Sequence, residues 1–350
     1  MAPLPPSSVP TIRDVAAQAG VSRATVSRAF SRPGMLSEAT VAHVRETASR
    51  LGYVPNEVAR ALSTGRNANI AILVPDIANP FFPPLIRAAQ ARADAAGFSV
   101  FLGDSDESSE REDTLVQRLA LQVEGFVLAS SRMPDLRIQE LARRRPIVLI
   151  NRDTPGQSRV LIDAADGIDA AVAHLAKFGH TFIVYVSGPA ASWSDQQRRQ
   201  ALRRSALRHK IKIQAIPASR PTFAAGRAVA GPILGTTATA AITFDDLVAH
   251  GLLAGLMEMG VKVPTQFSVI GCDDVLGAST YPALTSISAR CDEAGRIAVE
   301  LLVSTLQAGK SAETRCILDT RLVIRATTAK AAIRRMGVGR GEKAPRRVRT

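Results

Sequence analysis

From about residue 69 onward, short uninterrupted apolar runs alternate with stretches of helical period, and this alternation limits the possible folds more than any other feature of the chain. The apolar runs cover residues 70–74, 99–102, 125–129, 147–151, 160–162, 182–187, 240–244 and 267–272. Several are apolar at successive positions, as parallel strands covered on both faces are, whereas a half-solvated strand would alternate. Between them lie helical windows such as 84–96, 110–122, 167–178, 195–210 and 246–259. Such βα alternation over about 260 residues exceeds one comfortable sheet and predicts two doubly wound lobes, with ligands expected at the carboxyl ends of the strands.

The first fifty residues follow another pattern, of short helices divided by tight turns. Thr11 and Asp14 form a capping box ahead of a helix whose apolar face is Ile12, Val15, Ala16 and Ala19. Gly20 permits a sharp turn, Ser22 caps a second helix, and Val26 and Phe30 recur four apart on its inner side. Ser37 opens a third helix with Val41, Val44, Ala48 and Leu51. Two short helices joined by a glycine turn make a helix-turn-helix. Pro55 and Asn56 then start a segment, 57–62, of only two turns, too short to be helical alone in water.

Charge locates the polyanion contacts. The formal charge of +13 is unevenly spread: residues 1–66 hold 8 basic and 4 acidic side chains, 67–324 hold 27 and 26, and 325–350 hold 9 and 1. A nearly neutral middle between basic ends is a soluble body with separate electrostatic contacts. Cys272, Cys291 and Cys316 are too few and too scattered for a disulfide framework or a CxxC metal site, which fits a reducing compartment. Residues 1–10 are rich in Pro and Ser, without a basic region ahead of an apolar one, and no apolar run approaches membrane-spanning length, so a cytoplasmic protein without membrane contact is expected.

The string TIRDVAAQAGVSRATVSR at 11–28 resembles the DNA-binding headpiece of lactose-repressor-type (LacI/GalR) regulators, and LGYVPNEVARAL at 51–62 resembles the end of its third helix and its hinge helix. The resemblance implies a DNA face of Thr11, Ser22, Arg23, Ala24, Thr25, Ser27 and Arg28, and a hinge contributing Asn56, Ala59 and Leu62. On physical grounds Arg23 suits bidentate contact with guanine, Ala24 suits a thymine methyl, and Thr25 and Ser27 suit phosphate oxygens. In the family two hinge helices pair in the minor groove with the residue matched by Leu62 wedged into the central step. That implies a homodimer on a near-palindromic operator.

The core carries the same resemblance. AILVPDIANPFF at 71–82 looks like the first core strand and its following loop, with Phe81 and Phe82 as pocket aromatics. PIVLINR at 146–152 resembles the strand that usually delivers an aspartate, here Asn151, whose amide can both donate and accept. Arg198 matches the pocket arginine, and Arg199, Arg203, Arg204 and Arg208 read as a solvated face. TFDD at 243–246 and VIGCDD at 269–274 make Asp245 and Asp273 the pocket carboxylates, with Asp246 read as a helix cap. Asp245 in place of the common asparagine, Pro221 in place of an aromatic and Ala129 in place of a polar group prevent transfer of any relative's ligand.

The expected architecture is therefore α/β. A disordered start (1–10) leads to a helix-turn-helix headpiece (11–55) and a hinge helix with linker (56–67). A two-lobed periplasmic-binding-protein-like core of doubly wound parallel sheets (68–328) and a basic flexible tail (329–350) follow. The expected function is a repressor whose operator affinity responds to a small polar ligand, a sugar or related metabolite, between the lobes. A sugar-binding module without regulatory role is the first alternative, opposed by the headpiece. The second is an enzyme fused to such a headpiece, opposed by the lack of a nucleophile, phosphate loop or metal triad among the carboxylates. His43, His174, His180, His209 and His250 show no metal-binding spacing, and no cofactor or metal is expected.

Overall fold

A computed structural model describes residues 10–54, 67–309 and 313–332. The hinge positions Asn56, Ala59 and Leu62, the start 1–9 and the tail beyond 332 lie outside the described residues. The chain divides into two compact units, one reaching Asn69 and including 122–124, the other comprising Ile70–Leu121 and everything from Gly125.

In the first unit, α1 (Ile12–Gln18), α2 (Arg23–Ser31) and α3 (Glu38–Leu51) surround a small core of Val15, Ala16, Ala19, Val26, Ala29, Val44 and Ala48. Local chemistry sets each helix start. The Asp14 carboxylate accepts from the Thr11 backbone N–H and from its hydroxyl, both at 2.7 Å. Ser22 Oγ accepts the Thr25 N–H at 3.0 Å, and Ser37 Oγ accepts the Thr40 N–H at 3.2 Å. Gly20, at φ +65°, makes the left-handed turn that lets the Val21 N–H reach back to the Ala16 carbonyl. Phe30 and Tyr53 close the far side with ring centroids 6.1 Å apart.

The second unit holds two six-stranded sheets. Its strands are β1 (Asn69–Val74), β2 (Ser99–Asp104), β3 (Gly125–Ala129), β4 (Ile147–Ile150), β5 (Ser158–Asp163), β6 (Phe182–Ser187), β7 (Lys212–Pro217), β8 (Ala240–Thr243), β9 (Ser268–Asp273), β10 (Thr285–Ser288), β11 (Arg315–Asp319) and β12 (Arg321–Val323). Lobe 1 is ordered β11-β5-β4-β3-β1-β2 and lobe 2 is ordered β12-β10-β9-β8-β6-β7. Each lobe places its first strand between the second and third, and the winding reverses there. The crevice outside that reversal is where open α/β sheets bind ligands. Pairing is parallel from β1 to β3, β3 to β4, β4 to β5 and β5 to β11, and in lobe 2 only β12 runs antiparallel, against β10.

Helices α4 (Phe82–Ala95), α5 (Ser109–Leu119), α6 (Asp135–Ala142) and α12 (Cys291–Ala308) cover lobe 1, while α7 (Ala165–Lys177), α8 (Trp193–His209), α9 (Phe223–Ala228), α10 (Ala230–Leu234) and α11 (Asp246–Glu258) cover lobe 2. α12 returns from lobe 2 and lays Ala294, Ala298, Val299, Leu302 and Val303 against Phe82, Leu85 and Ala89 of α4. Gly295 permits that approach, since a Cβ there would stand 2.2 Å from the Leu85 carbonyl oxygen. The chain passes between lobes after β5, after β10 and between β11 and β12.

Four strands were not visible as apolar runs: β7, β10, β11 and β12. Three lie at sheet edges, β7 and β12 in lobe 2 and β11 in lobe 1, with most residues partly or fully exposed, so continuous hydrophobicity is not required of them. Residues 325–332 are tied to lobe 2. Arg325 pairs with Asp274 at 2.6 Å, the Thr327 hydroxyl donates to the Val269 carbonyl at 2.7 Å, and the Ala331 N–H donates to the Phe178 carbonyl at 2.8 Å. Polar contacts and the buried Thr327 hold this stretch, so residues 329–332, expected at the start of a flexible tail, are fixed on lobe 2.

Candidate DNA face and effector cavity

α2 offers a small exposed reading face because its inner side is committed to the core by Val26 and Ala29. Ser22, Arg23, Ala24 and Arg28 are exposed, as is Thr11 at the start of α1, while Thr25 and Ser27 are half-buried. Ala24 and Arg28 share one stripe four apart, as do Arg23 and Ser27. Neither Arg23 nor Arg28 has a hydrogen bond or ion pair among the described residues, so both guanidinium groups are available to an external acceptor. Ser22 and Thr25 already share a hydroxyl contact at 2.9 Å, which preorganises the helix start at which a phosphate oxygen can be held.

All six core positions singled out from the sequence, Phe81, Phe82, Asn151, Arg198, Asp245 and Asp273, line one narrow cavity of about 40 Å³ in the second unit. Asn79, Glu107, Ser130, Ser192, Ser194, Pro221 and Phe244 complete its wall. Lobe 1 supplies an edge-on aromatic pair, with Phe81 and Phe82 centroids 5.0 Å apart at 87°, at the start of α4. Lobe 2 supplies Arg198 from α8, Asp245 from the end of β8 and Asp273 from the end of β9.

The polar groups are held in fixed directions. Arg198 donates to the Phe244 carbonyl at 2.5 Å and to Asp273 Oδ1 at 3.1 Å, with its guanidinium 4.9 Å above the Phe244 ring. Behind it, buried Asp195 accepts from the Tyr185 hydroxyl and the Gly188 N–H, each at 2.8 Å, which braces the first turn of α8. Asn151 Oδ1 accepts the Ile162 N–H at 3.0 Å, so its acceptor is used within lobe 1 and its NH₂ is the end left for the cavity.

Asp245 and Asp246 exchange one expected role. Asp245 is the N-cap of α11, its Oδ1 accepting the Val248 N–H at 2.8 Å, while its Oδ2 accepts from Asn79 Nδ2 of lobe 1, also at 2.8 Å. Asp246 instead turns inward to Ser286 Oγ at 2.5 Å and the Val275 N–H at 3.1 Å. The cap is therefore the cavity carboxylate, because the extended backbone at 245 leaves its side chain facing the first free amides of the helix. Arg199 is also not merely solvated: it is half-buried and pairs with Asp195 at 2.5 Å. Arg203 and Arg204 are exposed, and Arg208 pairs with Asp169 at 2.6 Å.

Burial sets the electrostatics. It pushes the Asp245 carboxyl up to about 6 and Asp246 up to about 7, and raises Asp273 well above the usual range against the opposing pull of Arg198. Three wall residues also have positive φ at or just beyond strand ends: Ser130 at 51°, Asn151 at 52° and Asp273 at 108°. The last lies beyond the small left-handed well and stores about 1–3 kcal/mol of strain, held by the sheet and by Arg198.

Asn79, Glu107, Ser130, Ser192, Ser194 and Phe244 were not singled out from the sequence. Asn79 and Phe244 lie inside the quoted motifs 71–82 and 243–246, two residues before Phe81 and one before Asp245, so proximity was an available signal. Glu107 was hidden, because only the fold shows it clasped by buried Arg132 at 2.6 and 3.1 Å. Among the described residues no group of three His, Cys, Asp or Glu side chains is placed to hold a metal ion, and no helix is long and apolar enough to cross a membrane.

Residues 11–56 match the bacterial regulatory proteins of the lacI family, and residues 172–328 match a periplasmic binding protein-like domain. Over 329 residues, 91% of this chain and 96% of the relative, the sequence is 33% identical to the HTH-type transcriptional repressor CytR of Escherichia coli (strain K12). The chain belongs to the LacI family. The solved lac repressor dimer bound to operator and the anti-inducer ONPF aligns with a TM-score of 0.81 at 27% identity, over 92% of this chain and 100% of that one. A LacI family regulator from Enterococcus faecium with bound ribose aligns with a TM-score of 0.68 at 26% identity, over 75% of this chain and 100% of that one. Membership makes this chain a ligand-controlled, DNA-binding regulator of transcription with a two-lobed core, and not an enzyme.

Proposed function

We propose that the protein represses transcription as a homodimer on a near-palindromic operator, in the cytoplasm, and that a small polyhydroxylated ligand between its lobes controls its hold on DNA. One observation carries the effector half of this reading. Side chains far apart in sequence, drawn from both lobes, converge on one cavity with an edge-on aromatic pair on one side and braced donors and acceptors on the other. Aromatic rings take the apolar face of a sugar, while Asn151, Arg198, Asp245 and Asp273 take its hydroxyls. Ribose in an Enterococcus relative supports the ligand class, and operator in the lac repressor complex supports the DNA.

On the DNA side Arg23 reads a base edge, Ala24 and Arg28 extend the contact, and Thr11, Ser22, Thr25 and Ser27 hold phosphates. The segment 56–62, with Asn56, Ala59 and Leu62, orders against the minor groove only when its partner in the dimer stands at the right distance. A ligand that binds one lobe arrangement better than the other then changes operator affinity by the same coupling free energy. The test pairs a thermal-shift screen of pentoses, hexoses, polyols and nucleosides with operator titrations by fluorescence anisotropy at fixed salt. A stabilising ligand is expected to change operator affinity about 5- to 150-fold. Operator affinity indifferent to every stabilising ligand rejects the switch.

A further inference from the structure

The cavity has more negative charge in its wall than cations free to meet an incoming anion. Three carboxylates line it, Glu107, Asp245 and Asp273, against one guanidinium, Arg198. That guanidinium is engaged by Asp273 and the Phe244 carbonyl. Arg132, behind the wall, is held by Glu107 and the Ser130 carbonyl, and Arg220, on the loop beside Pro221, is paired with Asp106. Glu107 and Asp273 thus each have a basic partner. Asp245 has no ion pair among the described residues: its two oxygens accept from the Val248 N–H and the Asn79 amide, and Arg198 acts on it only through space.

A buried carboxylate held by neutral donors is incompletely compensated, and an anion brought beside it meets repulsion that little water is present to screen. An uncharged polyol adds donors without adding charge, and a basic nitrogen adds the missing countercharge. We propose that the cavity admits an uncharged or amine-bearing polyol and excludes its carboxylate and phosphate counterparts, with Asp245 setting this charge preference. The inference rests on the cavity being the effector site and goes further by naming the charge class of the ligand.

Matched sets on common skeletons test it in the full-length protein: glucose, glucosamine, glucuronate and glucose 6-phosphate; galactose, galactosamine and galacturonate; ribose and ribose 5-phosphate. Affinities are read by calorimetry and thermal shift. For any skeleton that binds, the acid or phosphate is expected to bind at least about tenfold more weakly than the parent, and the amine at least as tightly. In Asp245→Asn, which keeps shape and cap, the discrimination against the acid should shrink by about tenfold, whereas purely steric rejection would be unmoved. Glu107→Gln, which frees Arg132, should move the ratio the same way and serves if Asp245→Asn melts early. An acid that binds as tightly as its parent, or a ratio unchanged in both variants, overturns the charge preference alone. If no member of any set binds, the effector reading of the cavity fails with it.

Discussion

The same residue type works in opposite regimes at the two ends of this molecule. Arg23 and Arg28 stand exposed on α2 without a partner among the described residues, whereas Arg198 is buried in α8 with both terminal nitrogens engaged. An exposed guanidinium contributes little to folding and keeps its donors for an external anion, in a contact that salt weakens. A buried one is part of the structure, because removing it strands the charge it neutralised. The headpiece is therefore separable from its charges and the cavity is not.

The largest effect should come from breaking the buried pair. Arg198→Ala leaves Asp273 buried without its cation and is expected to destabilise the second unit by about 3–5 kcal/mol in chemical denaturation. Replacing both partners, Arg198→Met with Asp273→Leu, should recover most of that stability while leaving a cavity that binds no polyol. If Arg198→Ala melts like the parent, the buried pair is not structural.

The uncompensated carboxylate of Asp245 should make stability depend on pH. Its folded-state pKa is pushed up to about 6 by burial, so ionising Asp245 opposes folding, a penalty that is absent below about pH 4 and reaches its full size as pH rises through about 6. Asp245→Asn should be more stable than the parent at pH 8, by up to about 3 kcal/mol. The advantage should vanish as pH falls from about 6 towards 4, where the parent side chain is protonated. An advantage independent of pH would assign the effect to packing.

The smallest change in folding, and the sharpest on DNA, is expected for Arg23→Ala. Thermal stability should hold, since the side chain has no partner among the described residues, while specific operator binding weakens by about 1–3 kcal/mol with relaxed preference at one base pair. Equal weakening on specific and random DNA would make Arg23 a phosphate contact instead.

What could be read beforehand follows the range of the forces involved. The runs 70–74, 125–129 and 182–187 were visible because strands buried on both faces must be apolar at every step. The headpiece starts were visible because Asp14 takes the Thr11 amide, and Ser22 and Ser37 take amides, all within three residues. Edge strands β7, β11 and β12 were not, since backbone pairing on one side asks little of side chains. The cavity motifs showed which residues to watch, but not that Asn151 spends its acceptor on Ile162 or that Asp245, not Asp246, caps α11.

Local chemistry written in the chain determined the helix-turn-helix, its caps, the strand-and-helix alternation and membership in a family of DNA-binding regulators. Only the tertiary structure decided how the cavity's charges are shared. Asn79 meets Asp245 across 166 positions, and Arg198 meets Asp273 across 75, at distances set by the packing of two sheets and no local rule. Burial then alters each group's ionisation, because the solvent a side chain loses depends on everything folded around it.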